Sequence, residues 1–256
     1  MGILYFAIAF FATVCGSMAG LGGGVIIKPV LDALGLDNIQ TISILSSTTV
    51  FSMALVSTVK QFLSGFRIQK RMVFLVIGAT LGGLAGMQLF SLISGNMEPQ
   101  MLKGVQSIIL ASLLIVVLFK NKLPDFDIEN LFLSVFLGLL LGTMAAFLGI
   151  GGGPINVVIL CMFLGMQIKD AAVVSILIIL FSQGAKLTMI QIDTGFKVFE
   201  NLYKLLYMVP AGIIGGLLGA AFNRKLSNEF IHTFFMVMIV AILGLNIFNA
   251  VNAFFL

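Results

Sequence analysis

The chain has 256 residues, of which 60% are hydrophobic and only 9% charged, with a mean hydropathy of +1.17. A soluble domain carries about a quarter charged residues, so this composition excludes one and marks an integral membrane protein. The net charge of +4 comes from 14 basic and 10 acidic residues spread between apolar runs, which reads as membrane orientation and not as a nucleic-acid surface.

Apolar runs occupy residues 2–35, 41–64, 72–94, 101–119, 130–165, 170–192, 203–223 and 229–255. Since about 20 residues cross a bilayer, they predict an all-α polytopic protein of about eight transmembrane helices. The first run has no basic residues ahead of its apolar core. Residues 1–20 are therefore read as part of the mature fold, not as a secretory signal. This run and the fifth are each longer than the upper limit of about 25 residues for one span. Both contain a glycine cluster, GLGGGVIIKP at 20–29 and GIGGGPINVV at 149–158. Each glycine costs a helix about 1 kcal/mol relative to alanine. The clusters predict broken or re-entrant helices, which survive at membrane depth only where protein or a watery cavity satisfies the freed backbone.

The second span opens with Ser46, Ser47, Thr48 and Thr49, and the sixth carries Ser175, Ser182 and Gln183. The third and seventh share LGGLAG at 81–86 and IGGLLG at 214–219, whose GxxxG spacing predicts close helix packing. Together with the parallel between 34–46 and 164–175, these matches divide the chain into two homologous four-helix halves. The first is 1–120 and the second 130–256, joined by a polar linker at 121–129, all within one membrane domain. Four spans per half give repeats of the same orientation; an extra crossing at each glycine cluster would invert them.

With eight alternating spans, Lys60, Arg67, Lys70, Arg71, Lys120, Lys122, Lys186, Lys197 and Lys204 fall on one side. They outnumber Lys28, Lys103, Lys169, Arg224 and Lys225 on the other, so both termini are expected in the cytoplasm.

A helix that restarts near Val25 or Pro154 exposes unpaired N–H groups and the positive end of its dipole, which together attract an anion. The expected substrate site is therefore Gly22, Gly23, Gly24, Gly151, Gly152 and Gly153 at the repeat interface, with Asn156, Ser46, Ser47, Ser175 and Gln183 as further donors. Lys60 and Lys186, near the cytoplasmic ends of the second and sixth spans, are expected to snorkel and form an anion-attracting mouth. His232 is read as interfacial, and Cys15 and Cys161 as packing residues. No metal site, cofactor motif or catalytic set is present, so an enzyme is not expected. All acidic residues fall at or near span ends, which argues against a carboxylate proton relay. Outward movement of an anion needs no relay, because an inside-negative potential already favours it by about 2.3 kcal/mol per 100 mV.

GSMAGLGGGVIIKPVL, its partner FLGIGGGPINVVIL, the hydroxyl-rich starts of the second and sixth spans and the GGLxG pair resemble the sulfite exporter TauE/SafE family. The resemblance covers nearly the whole chain. It implies a multi-pass transporter in the cytoplasmic (inner) membrane of a prokaryote that exports sulfite, an organosulfonate or a related oxyanion. Its partners would be the small anion and membrane lipid, and a homo-oligomer is compatible with the sequence. The alternative is a channel or importer for another small anion or metabolite. The first half lacks a proline directly after its GGG, where the second has Pro154.

Overall fold

The computed structural model describes residues 2–119, 130–195 and 203–255. The linker expected at 121–129, with Lys120, Lys122 and Lys197, lies outside the described residues. Ten α-helices and no strand occur among those described. In chain order they are α1 (Gly2–Ala19), α2 (Gly24–Leu34), α3 (Ile39–Leu63), α4 (Lys70–Asn96) and α5 (Pro99–Leu118). There follow α6 (Leu131–Leu148), α7 (Gly153–Leu164), α8 (Ile168–Thr194), α9 (Leu205–Lys225) and α10 (Asn228–Phe255). Eight are long and apolar enough to cross a membrane, all but the short α2 and α7. Large apolar side chains such as Ile3, Leu63 and Phe132 face outward, as lipid-facing positions do.

Local chemistry fixes several helix ends. Asn38 caps α3 by accepting the Thr41 N–H at 2.8 Å, and Asn130 caps α6 by accepting that of Phe132 at 2.9 Å. Pro99 and Pro154 stand in the first turns of α5 and α7, where a missing N–H costs nothing.

The most extensive helix contacts join helices that are not neighbours in the chain. α4 lies along α6, and α9 lies along α1. The GxxxG glycines make both contacts possible. A Cβ at Gly82 or Gly86 would run into the backbone carbonyls of Leu139 or Thr143, and one at Gly219 into that of Val14. In the α1–α9 contact, Ser17 and Ser57 both donate to the Gly216 carbonyl, at 2.9 and 3.0 Å. The packing expected of the GGLxG segments is what these residues do.

The chain does not alternate between two faces as eight simple crossings would. Tyr5, near the start of α1, donates to Asp37 at 2.5 Å, just past the end of α2. Thus α2 runs back along α1, and the two form a hairpin whose open end is also where α3 begins. Lys204, at the start of α9, pairs with the same Asp37 at 2.5 Å. At the opposite end Arg224 donates to Ser64 at 2.5 Å, and Lys169 to the Arg224 carbonyl at 3.0 Å. Eight strict alternations would put Asp37 and Lys204 on opposite faces, and likewise Ser64 and Arg224. Near the Lys204 end, Lys103 also bonds the Asp32 carbonyl, and Gly104 abuts Phe254.

Candidate functional site: the crossing of two glycine loops

Between α1 and α2 the backbone turns through Gly20, Gly22 and Gly23, at φ 72°, 77° and 55°. Between α6 and α7 it turns through Gly149, Gly151 and Gly152, at φ 68°, 81° and 74°. These are left-handed conformations, which cost any other residue about 1–2 kcal/mol each. Both turns are closed by the same bond, from Gly22 N–H to the Gly16 carbonyl at 3.3 Å and from Gly151 N–H to the Ala145 carbonyl at 3.4 Å.

The two loops touch. A Cβ on Gly24 would stand 2.5 Å from the Ile150 carbonyl oxygen, and one on Gly153 would overlap the Leu21 carbonyl. The Ser175 hydroxyl ties them together, donating to the Gly20 carbonyl at 2.8 Å with the Gly153 carbonyl 3.4 Å away. Ser175, expected as a donor to a ligand, is thus committed to backbone. The starts of α2 and α7 meet as expected, but each abuts the other loop's carbonyl, so in this conformation no anion fits between them.

Polar side chains without protein partners stand against both loops. Buried and unpaired among the described residues are the Ser46 and Ser47 hydroxyls and both side-chain polar atoms of Asn156 and Gln183. Ser46 Oγ lies 3.0 Å from where a Gly24 Cβ would be, and Asn156 Oδ1 lies 3.0 Å from that of Gly152. A buried polar group without a partner costs about 1–3 kcal/mol, so Ser46 and Asn156, one against each loop, are an uncommon expense for a scaffold.

Three charged side chains are buried among the described residues, Lys28, Asp32 and Lys186. Lys28 Nζ donates to Gln106 Oε1 at 2.6 Å and lies 3.6 Å from Asp32. Gln106 in turn donates to the Phe147 carbonyl at 2.7 Å. Lys186 is fully buried; it donates to Ser43 Oγ at 2.7 Å and lies 5.8 Å from the centre of the Phe90 ring. The two lysines converge on Gly149, whose missing Cβ would be 3.5 Å from Lys186 Nζ, 3.5 Å from Lys28 Cδ and 2.8 Å from Ser43 Oγ.

One expectation is corrected here. Lys186 is not at a mouth: this lysine is fully buried inside the bundle. Lys60 does lie near a helix end, donating to the Leu217 carbonyl at 2.8 Å. Asp32, in the last turn of α2, lies near a helix end as expected of the acidic residues, but it is buried there beside Lys28. Lys28, Gln106 and Ser43 were not expected at the site. The only sequence signal was the i, i+4 spacing of Lys28 and Asp32 immediately after the glycines.

Outside the membrane, burial lowers the Lys204 pKa, but hydrogen bonds and charge from Asp37 and Tyr5 outweigh it and hold the ammonium above the ordinary lysine range. His232 is exposed, Cys15 and Cys161 are buried and not in a disulfide, and no metal-ligand cluster occurs among the described residues.

Residues 5–247 match the family model described as Sulfite exporter TauE/SafE. No curated protein and no solved structure matches the chain.

Proposed function

The chain belongs to the TauE/SafE family of membrane anion exporters, and we propose that it exports a small sulfur oxyanion, sulfite or an organosulfonate, bound beside Gly149 at the flank of the closed crossing and not between the two helix starts. The observation that carries this reading is the buried charge balance. Among the described residues two buried lysines, Lys28 and Lys186, stand against one buried carboxylate, Asp32, which pairs with Lys28. An unbalanced charge out of water costs several kcal/mol, and a bound anion beside Gly149 supplies the missing negative charge. Ser43, Ser46 and Asn156 then complete its hydrogen bonds, and the N-terminal dipoles of α2 and α7 add fixed positive potential.

The arrangement of the ends supports halves of inverted topology, 1–120 and 130–256, each a hairpin followed by three crossings. Related by a pseudo-two-fold axis in the membrane plane, such halves place the substrate near the midplane. Among the described residues, Lys60, Arg67, Lys70, Arg71, Lys169, Arg224 and Lys225 lie toward the Ser64–Arg224 end, against Lys103 and Lys204 toward the other. The positive-inside rule then makes the Ser64–Arg224 end cytoplasmic and puts both termini outside, in a prokaryotic cytoplasmic membrane. This reverses the orientation expected from eight alternating spans.

Flux in proteoliposomes tests the reading, with sulfite, thiosulfate, sulfate, a sulfonate and chloride compared at set membrane potentials. A saturable, potential-driven flux of a sulfur anion is expected, abolished in Lys186→Met. That variant keeps its fold, because an apolar chain of similar length replaces an isolated buried charge. Unchanged flux in folded Lys186→Met refutes the site, and non-saturating flux of all small anions favours a channel.

A further inference from the structure

Between the ends of α5 and α7 and the start of α10 a cleft of about 540 Å³ opens at the Ser64–Arg224 end. Val157, Cys161, Phe235 and Met236 form its inner wall, and exposed Asn228, Glu229 and His232 its rim. The offset of 129 residues between the two glycine loops carries these wall positions onto Lys28, Asp32, Gln106 and Ser107. Those four residues line the opposite part of the molecule, between α2, α5 and α10, where only about 10 Å³ is free. One position in the fold therefore occurs twice, open at one end and filled at the other.

The two copies differ in chemistry as well as volume. At the filled end Gln106 is a bridge: it accepts from Lys28 of α2 and donates to the Phe147 carbonyl of α6, so α5 is pinned to both halves. At the open end Phe235 and Val157 occupy the corresponding places and cannot make these bonds.

We propose that the cleft and its filled counterpart are the inner and outer doors of one transport cycle, with Gln106 the latch of the outer door. The proposal rests on the anion-exporter reading and on the inverted halves. The substrate anion reaches the glycine crossing from the cytoplasmic cleft and draws Lys28 away from Gln106. Once Gln106 loses that partner, α5 is free to move from α2 as its counterpart α10 stands away from α7, and the anion leaves outward. The outer door has a polar latch and the inner one has none, so the cytoplasm-open state is the resting state.

Cysteine labelling with a membrane-impermeant reagent tests this in a Cys15→Ala, Cys161→Ala chain carrying Met236→Cys or Ser107→Cys. Without anion, Met236→Cys is expected to react from the cytoplasmic face, and Ser107→Cys to be protected from the outer face. Internal sulfite with an inside-negative potential should raise outer labelling of Ser107→Cys by at least an order of magnitude and lower that of Met236→Cys. Gln106→Phe should give the same shift without sulfite, and Gln106→Glu, which gives up the bond to the Phe147 carbonyl but holds Lys28 more tightly, should keep Ser107→Cys protected and slow flux, because the Lys28 bond is the one the anion must open. If labelling ignores both sulfite and the Gln106 substitutions in a chain that still moves sulfite, the latch is refuted and the exporter reading stands. If no sulfur anion moves but labelling still follows Gln106, the exporter reading falls and the two doors stand. The reporters in the chain with Gln106 intact decide the matter even where a Gln106 variant does not fold.

Discussion

Gly24→Ala isolates the requirement for two backbones to touch at the crossing. Gly24 has ordinary helical φ, so alanine suits its conformation and by propensity alone stabilises α2 by about 1 kcal/mol. Space is what it lacks. The new methyl would stand 2.5 Å from the Ile150 carbonyl oxygen, 2.8 Å from its carbon and 3.0 Å from Ser46 Oγ. Carbon contacts settle at about 3.5–4.0 Å, so the loops must part by roughly 1 Å. Overpacking of this kind costs about 1–3 kcal/mol, leaving a net loss of up to about 2 kcal/mol. A shift of that size in a binding site lowers affinity by on the order of tenfold or more. Two controls separate the terms. Gly95 is helical with open space around it, so Gly95→Ala should raise the melting temperature by about 2–4 °C per kcal/mol gained. Gly35 has φ +62° and nothing nearby, so Gly35→Ala should cost about 1–2 kcal/mol while leaving transport intact. Thermal unfolding in detergent and sulfite flux in liposomes read all three. Gly24→Ala with the stability and flux of the parent refutes the tight crossing; Gly35→Ala losing flux as severely as Gly24→Ala refutes its assignment to the site.

Ser175→Ala removes the hydroxyl that donates to the Gly20 carbonyl and leaves that acceptor buried, so unfolding should come earlier by about 1–3 kcal/mol. Equal melting temperatures for variant and parent would show that Ser175 does not tie the loops. Lys204→Met breaks the cluster with Asp37 and Tyr5 at the start of α9 and should cost about 1–2 kcal/mol near neutral pH, allowing for partial solvent screening. Because the folded pKa of Lys204 is raised, its contribution is fully present below the unfolded lysine value and is lost as pH rises through the folded one. The difference between variant and parent should therefore hold constant from pH 6 to 9, which denaturation at several pH values checks.

Composition and pattern determined a good deal by themselves. Each of the eight apolar runs marks one of the eight long helices, with ends offset by a residue or two outside the two glycine-containing runs, because a lipid-facing segment must be apolar along its length, whatever its neighbours are. The glycine clusters mark the sharp turns because Gly20, Gly22 and Gly23, and their counterparts from Gly149 onward, adopt a backbone that other residues reach only at a cost. The GGLxG segments announced close packing, but not that α4 would pack on α6 and α9 on α1, since spacing specifies a face and not its partner. The direction of α2 was hidden for a related reason. A run of 34 apolar residues reads alike whether it crosses once or folds back, and only the bond from Tyr5 to Asp37 distinguishes the two. That turn decides which charges share an end of the molecule, and so changes the charge balance on which the proposed orientation rests. It also decides the charge of the interior. Lys28, Asp32 and Lys186 are unremarkable in sequence, and they become a buried, unbalanced set only when the hairpin and α8 bring both lysines beside Gly149 with Asp32 against Lys28.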